Sequence, residues 1–281
     1  MKHLYFPLAG AAMLLLAACG ASPSEKAAEQ ARDLLGQAQS ALESKDLDRA
    51  QMLLDSLDHG YKEAVGVRRE AMPLRARLIE EMSLKQIPQA DEAIAGAMMR
   101  IDQLGRLMAD SDDRTDPYVV PKQWPKRGDI KAEGIEPRVD RDGFFRLIVK
   151  SSGKTLDMNA VEFSAESSSV ASKALPSDRV AKVEGMELMS LSQEEFAPVA
   201  EWLEAHSGAE PTVELVGLSG RRKIAFSAAQ AAMLLDAWRY SRACQELVSA
   251  KVERERLERQ LKIARDQSAR VSEAGSTGSA D

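Results

Sequence analysis

From residue 25 onward apolar side chains recur at helical spacing. Between residues 25 and 45, Leu34, Leu35, Ala38, Ala41 and Leu42 share one face. After a polar break at Lys45-Asp46-Leu47-Asp48, Ala50, Leu53, Leu54 and Leu57 form a second such face. Two antiparallel helices joined by a tight turn are expected. The helical pattern continues over residues 61–86, where Pro73 is expected to bend it, and Pro88 is expected to open the next helix in its first turn. Over residues 89–108, Ile94, Ala97, Ile101, Leu104 and Met108 alternate three and four apart, the heptad stripe of a helix that needs a partner helix.

The texture changes between residues 110 and 142, where Pro117, Pro121, Pro125 and Pro137 break any regular pattern. Beyond it, residues 144–149 and 161–165 read as strands flanking a turn around Gly153, and residues 183–189 as another strand. Residues 212–217 and 223–226 read as a hairpin around Ser219-Gly220. A helix over residues 193–206 carries Val199, Trp202 and Leu203 on one side, with Pro198 obscuring its start. The last helix is announced by a capping box, Ser227 with Gln230, and by Phe226 in the staple position just outside it. It is expected to run to about Gln267, with Met233, Ala237, Tyr240, Cys244 and Leu247 as its stripe, thinning to Leu257, Leu261 and Ala264.

These patterns divide the chain into a leader (1–18), a linker (19–24), a helical hairpin and arm (25–110), a Pro-rich connector (111–142), a small β-rich α+β module (143–226), a long C-terminal helix (227–267) and a small, polar tail expected to be disordered (268–281). The expected fold class is α+β, mostly helical. Helical arms bracket the module in sequence, so the C-terminal helix is expected to pair antiparallel with the N-terminal arm. An extended stalk and helices folded back over the sheet both satisfy that connectivity.

The leader carries Lys2, an apolar run over residues 4–16 and then small residues, the order of a secretory signal. The run is shorter than the roughly 20 apolar residues a membrane span needs. Leu16-Ala17-Ala18-Cys19 resembles the lipobox of bacterial lipoproteins. That resemblance implies cleavage before Cys19, a diacylglycerol on its thiol and a third acyl chain on the freed amine. One acyl chain binds a membrane marginally, but each buried methylene adds about 0.8 kcal/mol, so several chains hold durably. Cys19 is then an anchor and no catalyst. Gly20 stands where an Asp would signal retention in the inner membrane, so the resemblance implies an outer-membrane lipoprotein. It leaves the leaflet open, and a periplasmic orientation is expected.

Two further resemblances bear on architecture. The run "ALESKDLDRAQMLLDSL" resembles one tetratricopeptide-type hairpin, with Ala41 and Ala50 where the helices approach closely, and no further copy follows. The run "MLLDSLDHGYKEAVGVRREA" is similar to a family of uncharacterised Gram-negative lipoproteins, in which such a hairpin feeds long helices and then a small β-rich region. That family implies no activity.

Composition narrows the chemistry. The chain has 281 residues, is 44% hydrophobic but only 5% aromatic, and carries a net charge of −6, which speaks against a nucleic-acid partner. Its two cysteines, Cys19 and Cys244, exclude a disulfide framework and a cysteine-based zinc site. His59 and His206 stand apart from any metal-like cluster, and no nucleophile, phosphate-loop or dinucleotide motif is present. Asp110, Asp112, Asp113 and Asp116 resemble half a calcium loop, but Thr115 and Pro121 occupy the places of the required Gly and Glu, so a solvated acidic loop is expected. Asp140-Arg141-Asp142-Gly143 is expected to be a turn. Lys122, Lys126, Arg127, Arg221, Arg222 and Lys223 would form a basic surface if their loops meet. Cys244 is expected to be a small buried apolar residue, and Trp124 and Trp238 to pack.

No cofactor, metal or catalytic residue is expected, and no binding residue is assigned. The expected function is a lipid-anchored envelope scaffold without catalytic activity, joined to the membrane through Cys19 and to an envelope protein partner. The alternative is a lipoprotein that captures a glycan or peptide on its β-rich module. An aromatic-lined pocket in the module would favour capture, and an exposed apolar helix face without a pocket would favour the scaffold.

Overall fold

A computed structural model of the chain describes residues 23–125, 133–183 and 185–277. The leader, Cys19, Lys126 and Arg127 lie outside the described residues. The fold is α+β and mostly helical, with a long C-terminal helix. It divides into a helical unit, residues 1–85 with 259–281, and a mixed unit, residues 86–258.

The helical unit contains α1 (Pro23–Glu43), α2 (Leu47–Gly60), the first half of α3 (Val65–Gly105) and the last part of α5 (Ala228–Thr277). The polar break between α1 and α2 is the expected turn. Lys45 adopts the left-handed conformation (φ 63°), and Asp46 caps α2 by accepting the Arg49 N–H at 3.2 Å. The buried face is built from Ala31, Ala38, Ala41, Leu42, Ala50, Leu54 and Leu57, closed by Val67, Ala71 and Leu78 of α3. Alanines at these positions let helix backbones come close. Ion pairs lie around the core: Asp58 accepts from Arg68 at 3.1 Å and from Arg75 at 2.8 Å, and Arg265 of α5 reaches Glu80 of α3 at 2.9 Å.

The prolines of α3 correct the sequence expectation. The helix runs unbroken for 41 residues through both Pro73, where a bend was expected, and Pro88, where a new helix was expected to start. An internal proline removes one backbone hydrogen bond and costs about 3 kcal/mol. Close to these prolines Ala71, Ala76, Leu78 and Ala90 are buried, and that packing overrides the local preference. The helix then ends at Gly105, so Met108, expected on the heptad stripe, instead opens the first strand.

The mixed unit holds two antiparallel sheets. Sheet one has six strands in the order β1 (Met108–Asp110), β2 (Tyr118–Pro121), β3 (Gly134–Asp140), β4 (Phe145–Ser152), β8 (Met186–Ser192), β7 (Val180–Val183). Sheet two has the order β10 (Gly220–Ile224), β9 (Thr212–Gly217), β5 (Met158–Ala165), β6 (Ser168–Ala171). The hairpin around Ser219-Gly220 forms as expected. The strands on either side of Gly153 form too, but β4 joins one sheet and β5 the other. Residues 111–142, read as a connector, carry β2 and β3, and residues 183–189 are the end of one strand and most of another. Pro137 is tolerated because β3 has only β4 beside it there; β2 pairs no further than Val139 and Asp140.

Alternation along the strands sends Leu147, Val149, Met189 and Leu191 from one sheet and Val161, Phe163, Val213 and Leu215 from the other into one core. α4 (Gln193–Ala205) adds Phe196 and Val199, and α5 adds Leu234, Ala237 and Trp238. Rings bridge the layers: Phe196 lies 5.0 Å from Phe145 of sheet one, 6.4 Å from Phe163 of sheet two and 5.8 Å from Trp238 of α5. Glu187 of β8 is 4% exposed, and its carboxylate accepts the backbone N–H groups of Leu156 at 2.8 Å and Met158 at 3.4 Å, tying sheet one to the start of β5. Gly217 is required by close approach, since a Cβ there would lie 2.2 Å from the Leu156 carbonyl oxygen.

α3 and α5 pair antiparallel within this unit, as expected. Arg100 meets Glu246 at 2.6 Å, Arg254 meets Asp91 at 2.6 Å, and Gly105 packs against the Tyr240 ring. α5 begins at the predicted capping box, where Ser227 Oγ accepts the Gln230 N–H at 3.2 Å and the Gln230 side chain accepts the Ser227 N–H at 3.0 Å. It continues to Thr277, well past the expected end near Gln267 and into the segment expected to be a disordered tail. No described helix is long and apolar enough to cross a membrane.

Candidate functional site

The candidate site is a cleft in the mixed unit where β8 hands the chain to α4. Ser192 ends the strand and caps the helix: its Oγ accepts the Glu195 N–H at 3.4 Å, and Glu195 accepts the Ser192 N–H at 2.7 Å. Beside it runs the turn from β3 to β4. Asp140 Oδ1 accepts the N–H groups of Asp142 at 3.1 Å and Phe144 at 2.8 Å, and Gly143 takes the left-handed conformation (φ 82°). The expected turn at Asp140-Arg141-Asp142-Gly143 is therefore present, stabilised by its own aspartate.

α5 clamps that turn. Ser241 Oγ donates to the Gly143 carbonyl at 2.6 Å and Gln245 Nε2 donates at 3.3 Å, while the amides of Gln193 and Gln245 pair with each other. Any residue larger than glycine at position 143 would put its Cβ 2.5 Å from the Cys244 Cβ. Burial pushes the Cys244 thiol above its ordinary range, opposed by its hydrogen bond with Tyr240, and burial likewise raises the Tyr240 phenol. A thiol held protonated is a poor nucleophile, and Cys244 packs against Gly143, although it is half-buried where full burial was expected.

Between turn, strand ends and helices lies a cleft of about 670 Å³. Its apolar lining is Phe144, Phe145, Ala197 and Trp238. Phe144 is 54% exposed although its neighbour Phe145 is buried, so one ring packs the core and the next stands at the cleft. Three arginines also line the cleft: Arg146 on β4, Arg179 just before β7, and Arg242 on α5. Arg146 reaches Asp140 and Arg179 reaches Glu195, both at the long distance of 3.4 Å and both with half of the arginine side chain exposed. Arg242 is exposed and has no ion-pair partner among the described residues.

Other residues singled out in the sequence have structural roles. His59 and His206 each hydrogen-bond the carbonyl four residues earlier, Asp55 at 2.7 Å and Trp202 at 2.8 Å, at the ends of α2 and α4. Asp113 Oδ1 accepts from the Thr115 N–H and Oγ1 and from the Asp116 N–H, so that carboxylate is engaged by its own loop. Among the described residues no group of three or more His, Cys, Asp and Glu side chains is placed to hold a metal. Three of the basic residues, Arg221, Arg222 and Lys122, are drawn into contacts within the fold. Arg221 pairs with Glu162 and Glu214, Arg222 clasps Glu133, Ser151 Oγ and the carbonyls of Ser152 and Lys154, and Lys122 donates to the Arg106 carbonyl at 2.7 Å. Trp124 and Trp238 are 7% and 6% exposed and belong to the core.

Sequence reasoning singled out neither Phe144 nor Arg146, Arg179 or Arg242 for a site. They belong to separate elements and share no motif spacing; only the adjacency of Phe144 and Phe145 across opposite faces of one strand start hinted that one ring would be left outside. Comparison with protein-family models, with curated proteins and with solved structures finds no match for this chain.

Proposed function

We propose that the protein is a non-catalytic cell-envelope lipoprotein that captures a ligand in the cleft of its mixed unit. The observation that carries this reading is a concave site lined by the exposed Phe144 ring and three arginines, of a size within the roughly 300–1,000 Å³ of small-molecule sites. The lipobox-like Leu16-Ala17-Ala18-Cys19 supports the location: acyl chains on Cys19 would hold the protein at the outer membrane, with the binding unit in the periplasm.

A second reading, a scaffold for an envelope protein partner, is favoured by Met98, Met99, Val248 and Val252. These residues of α3 and α5 in the mixed unit are all more than half exposed. Apolar side chains on paired helices are a form suited to partner helices.

The test is a thermal-shift screen of the full chain in detergent against glycan and peptide libraries, with Phe144→Ala alongside. Stabilisation of the wild type that is lost in the variant supports capture in the cleft. Stabilisation by no library member, together with a reproducible crosslinked protein partner that depends on Met98 and Val252, replaces it with the scaffold. Mass analysis of the mature N-terminal peptide checks the anchor, and a Cys19 without acyl mass removes the membrane part.

A further inference from the structure

We infer that the cleft is built for a carboxylate carried beside a bulky apolar side chain, as the free C-terminal residue of a peptide presents it; this rests on the capture reading above. Arg146, Arg179 and Arg242 line the cleft with Asp140 and Glu194, and Arg179 also meets Glu195, so cations and carboxylates balance in number. Arg146 and Arg179 each have an acid beside them, and Arg242 is the arginine of the cleft without an ion-pair partner among the described residues. One such guanidinium matches a monoanion, whereas a phosphate dianion would meet three carboxylates with too little cation to offset them.

The guanidinium groups are available for the task. Each has five N–H donors in a planar fork that fits the two oxygens of a carboxylate. Arg146 and Arg179 each engage an acid at 3.4 Å, long for a charge-assisted hydrogen bond, and Arg242 engages none among the described residues. Apart from Ser190, the neutral polar side chains at the cleft are instead committed within the fold. Gln193 and Gln245 bond each other, and Ser192 caps α4. Few neutral hydrogen-bonding groups remain to read the hydroxyls of a sugar, whereas the exposed ring of Phe144 and the surfaces of Ala197 and Trp238 offer an apolar contact next to the cations.

The experiment is calorimetric titration of the full chain in detergent with N-acetyl-Ala-Ala-Phe as the free acid, the same peptide as its C-terminal amide, N-acetyl-Ala-Ala-Ser acid, and glucuronate. The free acid is expected to bind at least about tenfold tighter than the amide, since a charge-assisted pair is lost. The Phe peptide is expected to exceed the Ser peptide. Arg242→Gln, a change at an exposed position, should bring the acid down to the level of the amide, and Arg179→Gln should do so in part. Phe144→Ala should weaken acid and amide alike.

Equal binding of acid and amide, or an acid preference untouched by both arginine variants, overturns the carboxylate assignment while leaving capture in the cleft standing. Tighter binding of glucuronate than of the peptide acid overturns the peptide assignment. Binding of none of these probes, with no library ligand sensitive to Phe144→Ala, overturns the capture reading itself.

Discussion

The helical unit and the mixed unit are held together by different means. The helical unit buries alanines and leucines along three helices, its buried core contains no aromatic ring among the described residues, and ion pairs at Asp58 and Glu80 border it. The mixed unit joins two sheets and two helices through Phe145, Phe163, Phe196 and Trp238. Where helices meet along their length, small side chains set a close, regular spacing. Where layers of different geometry meet, wide and irregular gaps are filled by rings. A chain only 5% aromatic concentrates its rings where the geometry demands them, and the cleft opens at that same place.

The sharpest way to break this contrast is to remove a bridging ring. Phe163 is fully buried and makes edge-to-face contacts with Phe196 and Phe226, so Phe163→Ala should destabilise the mixed unit by about 3–5 kcal/mol in chemical denaturation. The near-ultraviolet signal of the rings should be lost ahead of the helical signal. Unchanged stability would mean that the rings do not bear the packing.

Gly143→Ala comes next. A side chain there must tolerate a left-handed backbone and displace Cys244, two costs that together amount to about 3 kcal/mol. Cys244→Gly in the same chain should recover the steric part alone, measured again by denaturation midpoint. In the helical unit, Ala50→Leu tests close approach: Ala50 is fully buried, and the added volume should cost about 1–3 kcal/mol. If that site accepts leucine freely, the helices are not spaced by their alanines.

The smallest effect is electrostatic. Burial raises the Asp236 carboxyl above its ordinary value, only partly countered by Arg239. The folded state thus binds this proton more tightly than the unfolded state does, so the stability contribution is present at acid pH and is lost as pH rises through the folded pKa. Asp236→Asn should therefore be slightly more stable than wild type near neutrality. The difference should vanish below the ordinary aspartate value of 3.8. Paired melting curves across pH check the sign.

Periodicity made the helices legible, and local chemistry made their starts legible. The 3.6-residue repeat of Leu34 to Leu57 marked the α1–α2 hairpin, and Ser227 with Gln230 marked the start of α5. The prolines were misleading in both directions. Pro73 and Pro88 sit inside α3 because tertiary burial outweighs one missing hydrogen bond, and Pro121 and Pro137 sit in strands because each occupies a strand end or an unpaired edge position. Neither circumstance is encoded near the proline itself. The turn at Gly143 was legible from Asp140 and the glycine. The cleft was not, because Arg146, Arg179 and Arg242 become neighbours only once β4, β7 and α5 are assembled, and no local pattern couples positions so far apart.

The make-up of the helical unit sets an order of assembly. Its hairpin, α1 with α2, lies near the beginning of the chain, yet the partner of Glu80 is Arg265, and residues from 259 onward belong to the same unit. A polypeptide synthesised or translocated N-terminus first exposes Glu80 on α3 before the part of α5 that carries Arg265 exists. Contacts of such long sequence separation form slowly, because a large loop must close before they reward the chain. The ion pairing at the border of the helical unit is thus completed late, after α1, α2 and the start of α3 have closed their shared face of leucines and alanines.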